Sequence, residues 1–143
     1  MECWIHRDRL GASPWSLCFH RSPSEDGDEL LTALRRLKSG ILPASAVIRF
    51  AVSRKGSVGT LHLRLCVEDA TLRCLTTSYE GTGATIEFTP VGHDILLRAV
   101  EDWLGGAEDF VVSALHSEFR KRELRPRDLE SGEIWFWGPT MTP

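Results

Sequence analysis

The chain has 143 residues, of which 42% are hydrophobic and 26% charged, with a formal net charge of -3. That balance suits one globular domain able to bury its own core, and it argues against a chain disordered throughout. Mild acidity also argues against a nucleic-acid binder with a basic face, and gives no pull toward an anionic membrane.

In chain order, the opening "MECWIHRDRLG" breaks its apolar residues with charge, so it has no signal-peptide core. No apolar run is long enough to span a bilayer, and a cytoplasmic location is expected. "CWIH" and "WSLCFH" read as two short strands joined by a loop. "SPSEDGDELLTALRRLKSG" reads as a helix, with Ser24, Asp26 and Asp28 as candidate N-caps. Leu30, Leu34 and Leu37 fall on one helical face, Arg35, Arg36 and Lys38 occupy the last turn, and Gly40 offers the stop.

Strands follow. In "AVIRFAV", Ile48, Phe50 and Val52 share a face; in "TLHLRLCVED", Leu61, Leu63, Leu65 and Val67 alternate with polar residues, the strongest strand signal present. "ATLRCLTTSY" and "ATIEFTP" read as two more strands around the turn "EGTG". Their short links predict an antiparallel meander with one wet face. "TPVGHDILLRAVEDWLGG" is a second helix, with Thr89 as N-cap, Pro90 in the first position and an apolar stripe running from Ile95 to Leu104. "AEDFVVSALHSEFRKREL" fits either element, and the pair Val111–Val112 inclines it to a strand. "EIWFWGP" closes the series as a strand. The expected fold is α+β: a mainly antiparallel sheet of about six to eight strands in one domain, with two helices on one face. No internal repeat is visible in the sequence.

Motifs for chemistry are sparse. Cys3, Cys18, Cys66 and Cys74 lack paired spacing, so free thiols are expected, with Cys66 and Cys74 as small core residues. His6, His20, His62, His93 and His116 form no recognised ligand frame, so no metal or other cofactor is expected. The sequence holds no nucleophile elbow, P-loop or dinucleotide fingerprint. His93 and Asp94 in the first turn of the second helix read as helix capping rather than a dyad. His116, Glu118, Arg120 and Arg122 have the residue types a nuclease or other hydrolase would use, although interleaved acids make a solvated charged segment the simpler reading. That leaves the aromatic tail. If "EIWFW" is a strand, Ile134 and Phe136 point one way and Trp135 and Trp137 the other. Three accounts are open: a central strand covered on both sides, an irregular segment folded back, or a partner-binding patch.

The acidic helix entry "SEDGDE", the run "AVEDWLGGAEDF" and the tail "EIWFWGP" give the chain a loose resemblance, in composition and architecture, to the immunity proteins of bacterial polymorphic-toxin systems. The resemblance implies a non-catalytic domain that neutralises a cognate toxin by binding it. Glu101, Asp102, Glu108 and Asp109 would then be contacts for a basic toxin cleft, and Trp135 and Trp137 apolar anchors. A hydrolase built on His116 and its neighbours is one alternative. A homodimer or other homo-oligomer using the back of the terminal strand is another.

Overall fold

Strict alternation from Thr60 to Leu65 puts Leu61, Leu63 and Leu65 on one side of a strand and His62 and Arg64 on the other. The leucines are buried and the polar residues exposed, as a sheet with one wet face requires. The same logic builds most of the chain. The computed structural model describes residues 1–7, 14–20, 28–40, 44–66, 75–106, 110–112 and 132–137. These form β1 (Glu2–His6), β2 (Ser16–His20), α1 (Asp28–Ser39), β3 (Ala44–Arg49), β4 (Thr60–Leu65), β5 (Leu75–Glu80), β6 (Gly83–Phe88), α2 (Pro90–Leu104), β7 (Phe110–Val112) and β8 (Glu133–Trp137). No described helix is long and apolar enough to cross a membrane.

The class is α+β, with two helices and mixed sheets. The strands do not form one sheet. They divide into a terminal sheet ordered β1-β2-β8-β7 and a central sheet ordered β3-β4-β6-β5. The expected meander is also corrected. Consecutive strands pair antiparallel as hairpins, but β6, not β5, lies beside β4, and that pair is parallel. Side-chain content explains the exchange. On its inner side β6 brings Ala84, Ile86 and Phe88, all buried, whereas β5 is rich in threonine and serine and takes the edge.

Each half of the chain therefore runs β-β-α-β-β, and the sheets are assembled by exchange between halves. In each, a hairpin from one half joins a hairpin from the other through a parallel pair of inner strands, β2 with β8 and β4 with β6. The helices match too: Leu30, Leu34 and Leu37 of α1 and Leu96, Val100 and Trp103 of α2 are buried at i, i+4, i+7. The repeat is one of topology and helical spacing rather than of a recurring sequence motif.

The helices meet each other in one continuous core, α1 lying along β3 and α2 touching β6 and β7. Thr89 holds the N-cap position with extended backbone, Pro90 follows it, and Gly105 and Gly106 stop α2. His93 is a structural group. Its buried ring nitrogen Nε2 lies 2.8 Å from the Leu34 carbonyl oxygen, which can only accept, so Nε2–H donates and ties α2 to α1. Its contact with Asp94 is long, at 3.9 Å.

Among the described residues, two hydrogen-bonded junctions join the sheets. Ile5 N–H donates to Gly56 O at 2.9 Å and Val58 N–H to Cys3 O at 2.8 Å, so the β3–β4 connection caps the free edge of β1. Gly56 has φ +83°, and a Cβ there would lie 3.0 Å from Ile5 O, so glycine alone suits that approach. At the other junction, Thr77 Oγ1–H donates to Gly132 O at 2.8 Å, beside the indole of Trp15.

Candidate functional site: the outer face of the terminal sheet

Period-two geometry settles which way the terminal aromatics face. β8 lies inside its sheet, between β2 and β7. Ile134 and Phe136 enter the core, where Phe136 stacks on Phe19 with centroids 5.3 Å apart and meets Trp103 at 5.1 Å. Trp135 and Trp137 stand on the opposite face, each half-buried. The ladder brings them to residues far away in sequence. One row across the sheet is Trp4, Cys18, Trp135. The next is Glu2, His20, Trp137, and a third is His6, Ser16, Glu133.

This face is an indole platform over a buried thiol. Trp4 and Trp137 lie with ring centroids 6.0 Å apart, and the Arg54 guanidinium sits 4.5 Å from the Trp4 ring centre. Arg54 also pairs with Glu2, which accepts a further hydrogen bond from Ser53 and has its carboxyl held below the usual range mainly by that arginine. Trp135 Nε1–H donates to the buried carboxylate of Glu133 at 3.0 Å.

Three polar atoms on this face are enclosed without a hydrogen-bond partner: Ser16 Oγ, His20 Nε2 and Trp137 Nε1. Each such group costs about 1–3 kcal/mol. They are the buried side-chain atoms so identified among the described residues, and all lie on one face of one sheet. The Trp137 indole is near enough to Cys18 to favour its thiolate, but a neutral thiol is a weak acceptor.

Burial pushes the Cys18 thiol up to about 12, against smaller pulls from the Trp137 indole and the Arg54 charge. Burial likewise raises Cys3 well above its ordinary value. The two cysteines point to opposite faces, since Cys18 pairs with Trp4 while Cys3 pairs with Phe19. Cys3 and Cys18 are free thiols, and Cys66 is half-exposed rather than a core residue; Cys74 lies outside the described residues. The raised values carry a pH dependence. An unfolded thiol ionises near 8.5, so above that pH the unfolded chain sheds protons the folded chain retains, and stability falls toward pH 12. We expect thermal midpoints to drop between pH 8.5 and 10.5 and Cys18→Ala to remove part of the slope, by up to about 1.4 kcal/mol per pH unit. An unchanged slope in Cys18→Ala would show the thiol ionising freely.

The remaining candidates fall elsewhere. Glu101 and Asp102 are exposed on α2, and Arg35 reaches Glu101 at 3.6 Å. The helix packs on the Phe136 side of the sheet, so these acids and the two tryptophans occupy separate surfaces. Glu108, Asp109, His116, Glu118, Arg120 and Arg122 lie outside the described residues, as do Ser24 and Asp26. No cluster of three or more potential metal ligands occurs among the described residues. Sequence reasoning missed Trp4, Cys18 and His20 as neighbours of the terminal tryptophans. The β2–β8 pairing that unites them spans most of the chain, and no local pattern announces it. Comparison with protein-family models, with curated proteins and with solved structures returns no match.

Proposed function

We propose that the chain is a protein-binding domain whose docking surface is the outer face of the terminal sheet, with Trp135 and Trp137 as its apolar anchors. One observation carries the reading. The two sheets share a topology, so each position on this face has a counterpart on the central sheet. Cys18 pairs with Trp4 and Trp135; the equivalent Thr85 pairs with Ser78 and His62. His20 pairs with Glu2 and Trp137; the equivalent Glu87 pairs with Thr76 and Arg64. The architecture accepts small and polar residues at these places. The indoles are therefore not demanded by the fold, and half-buried tryptophan is the residue type most enriched at interface hot spots. The unpartnered polar atoms on the same face support the reading, because such costs gather where structure serves binding.

The resemblance to toxin-neutralising immunity proteins suggests a toxin domain as partner. The acids Glu101 and Asp102 would then contribute from a second surface rather than from the indole platform.

The test is a titration. A protein that co-purifies with the full chain is remade pure, and its affinity for single variants is measured. Trp137→Ala and Trp135→Ala should each weaken binding by about 30-fold or more, the range of a hot-spot residue. Val91→Ala, an exposed apolar residue on α2, should leave it unchanged. Wild-type affinity in both tryptophan variants, with far-UV spectra unaltered, would overturn the proposal.

A further inference from the structure

The outer strands differ in what meets them. The backbone edge of β1 is capped by the 56–58 segment, and β5 holds Gly132 through the Thr77 side chain. β3 has no such cap among the described residues. Its pairing with β4 fixes which backbone groups are free. Phe50 N–H donates to Gly59 O, so residues 50, 48, 46 and 44 turn their backbone groups toward β4. Ser45, Val47 and Arg49 turn theirs outward, to a six-residue edge carrying neither a proline nor a bulge.

The side chains along this edge are also unusual. Val47 is 51% exposed, one of three large exposed hydrophobics among the described residues. On the inner side, Ala44 and Ala46 are small, and they leave a groove of about 870 Å³ between the strand and α1, with Ala33 and Leu37 on its helical wall. Edge strands exposed in this way are templates for another strand.

We propose that β3 is a homodimer interface: a second copy of this chain adds its own β3 antiparallel across a two-fold axis at Val47. The register is self-complementary. Val47 meets its counterpart, so the exposed apolar surface is covered on both sides. Arg49 stands opposite Ser45 of the other copy, so no like charges face each other. The outward groups of residues 45, 47 and 49 then make about six inter-chain backbone hydrogen bonds. Small inner residues at 44 and 46 leave room in the groove for the incoming strand's side chains. Gly40 abuts Ala44, so the C-terminal turn of α1 lies at the Ala44 end of the groove and Glu29 toward the Arg49 end. The two-fold therefore brings Glu29 of each copy toward Arg36 of the other, a complementary arrangement. Joined in this way, the two central sheets become one continuous sheet. Were the edge instead a site for an acidic peptide, the chain by itself would stay monomeric in the experiment below.

Sedimentation equilibrium of the full chain, from low to high micromolar concentration, tests this. The expected result is a reversible dimer. Val47→Lys, which sets two like charges against each other on the axis, should weaken it by about tenfold or more. Ser45→Glu, which gives Arg49 of the other copy an anionic partner, should tighten it by about threefold. Trp135→Ala should leave dimerisation unchanged, which separates this interface from the indole platform. A monomer throughout the range, or a dimer indifferent to both β3 variants, would overturn the proposal. Should Val47→Lys fail to fold, Ser45→Glu decides alone: a tighter dimer supports the register and an unchanged one refutes it.

Discussion

Trp103→Ala should lower the unfolding free energy by about 3–5 kcal/mol, the largest loss expected from any single truncation here. Trp103 is fully buried and is the largest such side chain among the described residues. Its ring meets Phe136 at 5.1 Å, and its Nε1–H donates to the Trp137 carbonyl oxygen at 2.9 Å. Removal thus opens a large cavity and takes the donor from the end of β8. Trp103→Phe separates the two effects. It keeps an aromatic ring against Phe136 but loses the N–H, and should cost roughly 1–2 kcal/mol. Urea unfolding followed by far-UV circular dichroism measures both, without relying on the fluorescence of the residue replaced. Because the lost bond anchors the strand that carries the indoles, each variant should also weaken binding if the proposed docking surface is the one used. A loss below about 1 kcal/mol in Trp103→Ala would mean that the interior repacks around the site, against the rigidity expected of a close-packed core.

The place of Trp103 was legible in the sequence, as were the elements themselves. The stripe from Ile95 to Leu104 gives α2, with Thr89 and Pro90 at its start and Gly105 at its end, as found. The leucine alternation gives β4, and the pair Val111–Val112 inclines correctly to a strand. These signals are local: a period of two or of 3.6 and the residues that break it. Partners across a sheet are not local. β2 and β8 are parallel neighbours although most of the chain lies between them, and the division into two sheets follows from that exchange. The sequence raised the problem of two tryptophans on the back of a strand, because period two requires it. It could not supply the answer, since Trp4 and Cys18 arrive through pairing alone. The free edge of β3 was hidden for the same reason. Nothing within Ala44–Arg49 distinguishes an outer strand from an inner one.

Gly132→Ala should destabilise the chain by roughly 2–3 kcal/mol through overpacking, although glycine to alanine outside a helix is often harmless or helpful. No unusual backbone angle is involved; the cause is close approach. A Cβ at residue 132 would lie 2.6 Å from two ring carbons of Trp15 and 2.7 Å from a third. The half-buried indole also packs edge-on against Tyr79, with centroids 4.8 Å apart, so moving it disturbs that contact. Either Trp15 leaves Tyr79, or the start of β8 moves away and stretches the bond from Thr77 Oγ1 to Gly132 O, which joins the sheets. A double-mutant cycle identifies the cause. In a Trp15→Leu background the ring is gone, so Gly132→Ala should cost under about 0.5 kcal/mol, leaving a coupling energy of roughly 2 kcal/mol between the residues. The same cost in both backgrounds would place the strain in the backbone of residue 132 rather than against the ring. Gly132 would then serve the entry into β8 through its own conformation, and the Trp15–Tyr79 contact would be incidental to how the two sheets are held together.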